Sequence, residues 1–151
     1  MFKSIGIAAT LAVVGATPVL AQSWEAVSSN DSAVAAVDWS SIDINGNRRE
    51  VTFSMVSLQS GAVPFDYAVS TIDMDCSQPR YATVRSSFYD RAGDQVIEDF
   101  VGDGTWTSLA EGTMMGDLRR EVCASDSSRP GYFNTAHEFA IAAWRVVEQG
   151  R

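Results

Sequence analysis

Apolar and polar residues alternate in short runs between residues 24 and 100, and turn residues separate the runs. A two-residue alternation is the period of a half-buried β-strand, because successive side chains of a strand point to opposite faces of a sheet. No long helical period occurs in this region. The pattern predicts six strands, at residues 23–27, 33–44, 48–58, 67–76, 81–89 and 95–101. Short strands joined by turns favour an antiparallel sheet.

The clearest local signal is the turn between the second and third predicted strands. Asn45, Gly46 and Asn47 tolerate positive φ, which a tight hairpin requires, and the residues that follow are rich in Val, Thr and Phe. We therefore expect these two strands to pair as a hairpin.

Helical spacing replaces the alternation after residue 104. The first predicted helix ends near Cys123, and its apolar face consists of Met115, Leu118 and Val122. Its start has two alternatives. Ser108 with Glu111 fits a capping box, whereas Thr113 would cap a shorter helix that leaves Gly112 outside.

A second helix is predicted over residues 135–149, after a loop at 125–131. Thr135 and Glu138 form a capping box at its start, and Gly150 follows its end. Its apolar face consists of Ala136, Ala140, Ala143 or Trp144, and Val147.

Residues 1–21 have the pattern of a cleaved signal peptide. Lys3 gives a positive start, residues 5–14 are apolar, and small or modest side chains precede a cleavage point after Ala21. The apolar run is shorter than the roughly 20 residues that span a bilayer. We expect export and a mature chain of residues 22–151, long enough for a single domain. An uncleaved membrane anchor is the alternative.

Export favours a disulfide between the two cysteines, because thiols that leave the cytoplasm meet oxidising conditions. We predict a disulfide between Cys76 and Cys123. Alternation places Cys76 on the same strand face as Ile72 and Met74, and Cys123 lies in the last turn of the first helix. The expected fold is therefore α+β: a six-stranded antiparallel sheet with a helix packed on one face and tethered by the disulfide, plus a C-terminal helix.

Charge narrows the set of partners. Without residues 1–21 the chain loses Lys3, its only lysine, and keeps ten arginines against 19 acidic residues, a net charge of −9. Nucleic acids and anionic membranes bind basic surfaces, so we expect neither as a partner. Solubility explains the acidity, with an acidic site for a basic ligand as the alternative. The arginine pairs 48–49 and 119–120 could bind carboxylates, or simply be solvated.

Residues suited to catalysis are few. His137, the only histidine, lies in the first turn of the second predicted helix, where the helix dipole disfavours its charged form. No nucleophile elbow or Cys/His zinc cluster is present in the sequence. Asp73 and Asp75 could hold a hard cation with Asp90 or Glu98, although a solvent-facing strand is the simpler explanation. We expect no enzymatic activity, cofactor or metal.

A candidate binding face lies on the fifth predicted strand. If the alternation is unbroken, Tyr81, Arg85 and Tyr89 point to one side of the sheet. Aromatic and arginine side chains are typical of protein-binding hot spots. A cross-strand packing cluster is the alternative.

Several short motifs resemble the surface-adhesin protein E family of small exported bacterial proteins. They are the alternating strand 71–76 that ends in a cysteine, Phe88-Tyr89-Asp90, the segment 104–109, and the helix end at 118–123. The resemblance covers about residues 35–124 and leaves helix 135–149 outside. It implies a six-stranded antiparallel sheet with a helix tethered to its concave face by a disulfide. It also implies binding to host proteins such as plasminogen, vitronectin and laminin.

The chain departs from the lipid-anchored members of that family. Gln22 and Ser23 follow the expected cleavage point, where a lipidated cysteine would be needed. We therefore expect a periplasmic or released protein without a lipid anchor. The predicted function is binding of host or envelope proteins by a non-enzymatic domain. A periplasmic structural or envelope-maintenance protein without a soluble ligand is the alternative, and a small hydrolase comes third.

Overall fold

Seven strands and two helices make up residues 21–124 and 129–150, the part of the chain that the computed structural model describes. The strands are β1 Trp24–Ser29, β2 Ala33–Asn45, β3 Arg48–Ser57, β4 Tyr67–Asp75, β5 Arg80–Tyr89, β6 Gln95–Val101 and β7 Trp106–Ser108, and the helices are α1 Met114–Ala124 and α2 Ala136–Gln149. The predicted signal peptide, apart from Ala21, lies outside the described residues, as do residues 125–128 of the predicted loop. Neither described helix combines the length and the apolar character that crossing a bilayer requires.

The strands form one antiparallel sheet in the order β1-β2-β3-β4-β5-β6. Each strand pairs with the next because the connections between them are short. The predicted six-stranded sheet is confirmed, and β7 is added to it: this three-residue strand pairs with the start of β5, while β6 pairs with the end of β5. Three residues are too few to show an alternation in the sequence.

The predicted hairpin joins β2 to β3. Asn45 pairs with Arg48, and Gly46 has a φ of 59°. This is the left-handed region, which glycine adopts at low steric cost.

The core is divided between the two faces of the sheet. Ala36 and Val37 are consecutive in β2 but belong to different clusters, because neighbouring side chains of a strand point to opposite faces. On what we call the α1 face, Leu118 and Val122 pack with Val37, Trp39, Val51, Phe53, Ile72 and Met74. On the α2 face, helix α2 packs through Ala136, Phe139, Ala140 and Trp144 with Trp24, Ala36, Val56 and Tyr67. The two helices therefore lie on opposite sides of the sheet.

Both helix starts are capped as the sequence allowed. The Thr113 hydroxyl accepts a hydrogen bond from the Gly116 amide at 3.1 Å, which selects the shorter of the two alternatives for α1. The Thr135 hydroxyl accepts from the Glu138 amide at 3.0 Å, and the Glu138 carboxylate accepts from the Asn134 amide at 2.9 Å. These bonds satisfy amides that have no partner inside a helix.

The predicted disulfide joins Cys76 to Cys123, with Cα atoms 5.5 Å apart and 47 positions of separation along the chain. It connects the residue after β4 to the last turn of α1. The Arg119 guanidinium strengthens the same junction, since it donates to the carbonyl oxygens of Asp75 and Cys76 at 3.0 and 2.8 Å. The helix is therefore held to the sheet by a covalent bond and by hydrogen bonds.

Candidate functional site

Tyr81, Arg85 and Tyr89 do not form the single face that the sequence predicts. Thr83 pairs with Ile72, but Arg85 pairs with the preceding residue of β4, so Val84 is an extra residue in β5. Such a β-bulge reverses the alternation beyond it. Tyr81 therefore packs on the α1 face, whereas Tyr89 packs on the α2 face. The prediction of a shared face is corrected for this reason.

Arg85 and Tyr89 lie on the same face, but each side chain contacts a different residue. The Arg85 guanidinium donates to the Asp99 carboxylate, with 2.7 Å between Nε and Oδ2. Tyr89 stacks on Tyr67, with ring centroids 5.0 Å apart. Neither contact leaves an open aromatic and arginine patch of the kind predicted.

Tyr67 is the centre of an aromatic group between α2 and the sheet. His137 also stacks with Tyr67 at 5.9 Å, and Trp144 meets it edge-on at 6.2 Å. Burial, reinforced by the negative charges that Tyr89 and Asp90 can carry, raises the pKa of Tyr67 to about 12. The Nε2 atom of His137 lies 3.0 Å from the carbonyl oxygen of Arg91. The contacts of His137 are thus an aromatic ring and a backbone carbonyl.

Asp73 and Asp75 are paired with arginines. Arg48 forms an ion pair with Asp73, and Arg80 binds Asp75 at 2.9 Å. A hydrogen bond from the Ser77 hydroxyl, followed by those from Arg80 and backbone amides, holds the pKa of Asp75 well below its usual range. Across residues 21–124 and 129–150, no group of three acidic, histidine or cysteine side chains is arranged to hold a metal ion.

Trp106 of β7 lies beside the same arginines. The guanidinium carbons of Arg48 and Arg80 are 5.0 and 4.7 Å from the centre of its ring. Cation–π contacts of this kind stabilise a partly exposed arginine cluster. This part of the α2 face is therefore charged but internally paired.

Cavities of 420 and 370 Å³ lie away from His137, Asp73 and Asp75. The first is lined by Pro79, Leu109, Ala110, Glu111, Gly112, Gly116, Arg119 and Arg120. The second is an apolar groove between α2 and the first two strands, lined by residues that include Val34, Phe133, Phe139 and Val146. Neither cavity brings together the groups that the hydrolase alternative needed.

An exposed apolar patch lies at the β5–β6 end of the α1 face, beyond the part that α1 covers. The Phe65 and Phe88 rings are 4.9 Å apart, and Phe88 pairs across the sheet with Ile97. Phe100 pairs with Ser86, whose hydroxyl is bonded to Ser70 on the α1 face. We call Phe65, Phe88, Ile97 and Phe100 the phenylalanine patch. Phe100 is 54% exposed and Ile97 is 37% exposed.

A hollow of 230 Å³ borders the phenylalanine patch and is lined by Ser32, Ala33, Met55, Ser57, Gln59, Ala62, Val63 and Phe65. Val63 is itself 41% exposed. The apolar surface therefore continues from β6 across the sheet towards β2. Sequence reasoning missed this surface, although a signal for it was present. A strand that is buried on one face needs apolar residues only at alternate positions, whereas β6 has them at even and odd positions: Val96, Ile97, Phe100 and Val101.

The sequence profile of the family described as Surface-adhesin protein E matches residues 24–124. The match extends from β1 to the end of α1 and stops before α2. No curated protein and no solved structure matches the chain.

Proposed function

Because the chain belongs to the surface-adhesin protein E family, we propose that it is a non-enzymatic protein-binding domain of the cell envelope. Membership in this family supports an adhesin-like surface protein. The contact surface that we assign to this function is the phenylalanine patch.

The exposed phenyl ring of Phe100 is the observation that carries the proposal. Large apolar side chains that stand together on the surface of a folded protein mark interaction sites, because their contact with water is unfavourable. Phe100, Ile97 and Phe88 are held by paired strands, so little conformational entropy would be lost when a partner covers them. Aromatic residues of this kind dominate the energetics of many interfaces.

The compartment that fits this function is the periplasm or the exterior of the cell. The signal-peptide pattern of residues 1–21 supports export, and the Cys76–Cys123 disulfide is of the kind that persists in oxidising compartments. Gln22 and Ser23, where lipid-anchored members need a cysteine, favour a protein without a lipid anchor.

A structural role in the envelope is the second candidate function. The uncovered part of the α2 face supports it, because three arginines there are paired within the sheet, with Asp73, Asp75 and Asp99. Charges that are satisfied internally offer little to a ligand. The two functions differ in whether mutation of the phenylalanine patch abolishes binding of a partner.

The test uses the full chain, exported with its disulfide intact and immobilised for capture from envelope extract and from purified plasminogen, vitronectin and laminin. Partners retained by the wild-type protein are then measured by biolayer interferometry. We expect Ile97→Ser combined with Phe100→Ser to weaken binding at least about tenfold. Val146→Ser is the matched control, since Val146 is 71% exposed on α2. No specific partner, or equal binding by the patch variant, would support the structural role instead.

A further inference from the structure

We propose that the outer edge of β6 accepts an extended, positively charged segment of a partner protein as an additional antiparallel strand. This inference rests on the proposed binding function and names the chemistry of the partner and the way it binds.

The outer edge of β6 is open. Among the described residues β6 pairs with β5 and with no other strand, because β7 continues along β5 instead. The Gly102 amide donates to the Val84 carbonyl at 3.0 Å, so the backbone amide of Gly102, just after β6, points towards β5. Since backbone groups alternate in direction along a strand, the amide and carbonyl of Val101, which pairs with Arg85 in regular register, point away from β5. An incoming strand can bind these groups.

The opposite edge of the sheet, at β1, is partly covered. The Trp24 amide of β1 donates to the Phe133 carbonyl at 3.0 Å, and the Tyr132 amide donates to the Trp24 carbonyl at 2.8 Å. The segment before α2 therefore covers the start of β1. The edge at β1 is thus covered at Trp24, whereas no described segment pairs with the outer edge of β6.

The side chains of β6 do not protect this edge in the usual way. Proteins commonly protect an edge strand with lysine, proline, inward-pointing charges or β-bulges. β6 has neither lysine nor proline, and the two irregularities in its pairing with β5 lie between Gln95 and Phe100, before Val101. Asp99 is bent over the α2 face, where it accepts hydrogen bonds from Arg85, Ser87 and Gln95. Instead the strand exposes Val96, Ile97, Phe100 and Val101, with Val101 71% exposed. Strand addition would cover these apolar side chains on both faces of the sheet.

The charges near β6 indicate which kind of partner strand can bind its outer edge. Residues 94–103 contain no basic side chain, and besides Asp99, which is paired with Arg85, they contain the carboxylates of Asp94, Glu98 and Asp103. A second copy of this chain would bring the same carboxylates to the edge, and each chain has a formal net charge of −8, so self-pairing is opposed. An extended segment in which lysine or arginine alternates with apolar residues complements both the carboxylates and the apolar surface.

The probe is a fluorescent peptide of about eight residues in which lysine alternates with valine. Binding to the exported full chain is measured by fluorescence anisotropy, and amide hydrogen exchange shows whether residues 95–101 become protected. Two further peptides carry N-methyl groups on alternate amides, one set being the complement of the other. Strand addition uses one set of amides only, so we expect one methylated peptide to bind and the other to lose at least about tenfold in affinity. A glutamate–valine peptide should not bind.

Val101→Pro is the matching protein variant, because it removes an amide that points to the open edge and leaves the pairing with β5. We expect it to weaken peptide binding about tenfold, whereas Val101→Thr keeps the amide and should bind within about twofold of wild type. A melting curve checks the folding of both variants. If Val101→Pro does not fold, the pair of methylated peptides decides.

Four results would overturn the inference: no binding of the lysine–valine peptide, equal binding of the two methylated peptides, equal binding of the glutamate–valine peptide, or a dimer in sedimentation that Val101→Pro dissociates. None of these results bears on the phenylalanine patch, which the capture experiment tests separately. A captured partner that is sensitive to Phe100→Ser but not to Val101→Pro would keep the proposed function and reject strand addition.

Discussion

Tyr67 shows how a single residue connects the two elements on the α2 face. Its ring stacks with Tyr89 of the sheet and with His137 of α2, and it meets Trp144 edge-on. A buried phenol resists ionisation, because the phenolate would lose its hydration. The neutral form of Tyr67 is therefore part of the packing that holds α2.

We predict that Tyr67 ionises with an apparent pKa near 12. The folded-state pKa is above the ordinary value of 10.0, so the stabilisation is complete below pH 10 and is lost as the pH rises through 12. The phenolate absorbance of the wild-type protein should include a step near pH 12 that Tyr67→Phe removes. Tyr132→Phe, which changes a side chain that is 81% exposed, should keep that step. A titration of Tyr67→Phe that still contains the step would contradict this assignment.

Val84 is a second residue with effects beyond its own position. As the extra residue of a β-bulge, it reverses the face of the sheet to which each later side chain of β5 points. This places Phe88 on the α1 face and Tyr89 on the α2 face, the reverse of an unbroken alternation. The phenylalanine patch exists on its face because of this one residue.

At the scale of elements, α2 completes the fold although it lies outside the family match. It covers Trp24, Ala36, Val56 and Tyr67, which would otherwise be exposed on the α2 face. The indole nitrogen of Trp144 donates to the Ser57 carbonyl at 2.9 Å, which ties the helix to the end of β3. α2 therefore contributes to the hydrophobic core on this face of the sheet.

We predict that Trp144→Ala lowers the free energy of unfolding by about 3–5 kcal/mol, because it leaves a large cavity and an unpaired carbonyl. Trp144 is 5% exposed, whereas Val146, two positions along α2, is 71% exposed. Val146→Ala should therefore change the free energy by no more than about 0.5 kcal/mol. Urea unfolding followed by circular dichroism measures both variants. Equal effects of the two substitutions would show that α2 is not docked as described.

At the scale of the whole molecule, the disulfide connects the sheet to α1 across 47 positions of the chain. A cross-link stabilises mainly by restricting the unfolded chain, and a loop of about 47 residues corresponds to roughly 4 kcal/mol as an upper value. Small domains have total stabilities of about 5–15 kcal/mol. Much of the stability of this protein is therefore expected to depend on the bridge.

We predict that reduction, or replacement of both cysteines by serine, lowers the melting temperature by at least several degrees. Arg119 still donates to the carbonyl oxygens of Asp75 and Cys76, so α1 should stay on the sheet at low temperature. Differential scanning calorimetry with and without reductant measures the effect, with the double serine variant as the control for the reductant. An identical melt under both conditions would show that the bridge has no structural role.

Local sequence patterns were sufficient to predict β1 to β6, both helices apart from the start of α1, the disulfide pairing and the family, but not β7. The alternation in residues 24–100 is a local property, and it located the ends of β1 to β6 to within two residues. Thr135 and Glu138 located the start of α2 because a cap depends on residues three positions apart. With two cysteines, one intramolecular pairing exists.

Strand pairing and packing between distant segments determined which residues share a face and which surface is free. The bulge at Val84 separated Tyr81 from Arg85 and Tyr89, because strand register depends on pairing with β4 and not on the sequence of β5 alone. Likewise α2 could have covered either face, and its position on the face opposite α1 follows from packing between distant residues. The phenylalanine patch and the open edge of β6 are what this packing leaves uncovered, so they could not be seen before the sheet was assembled.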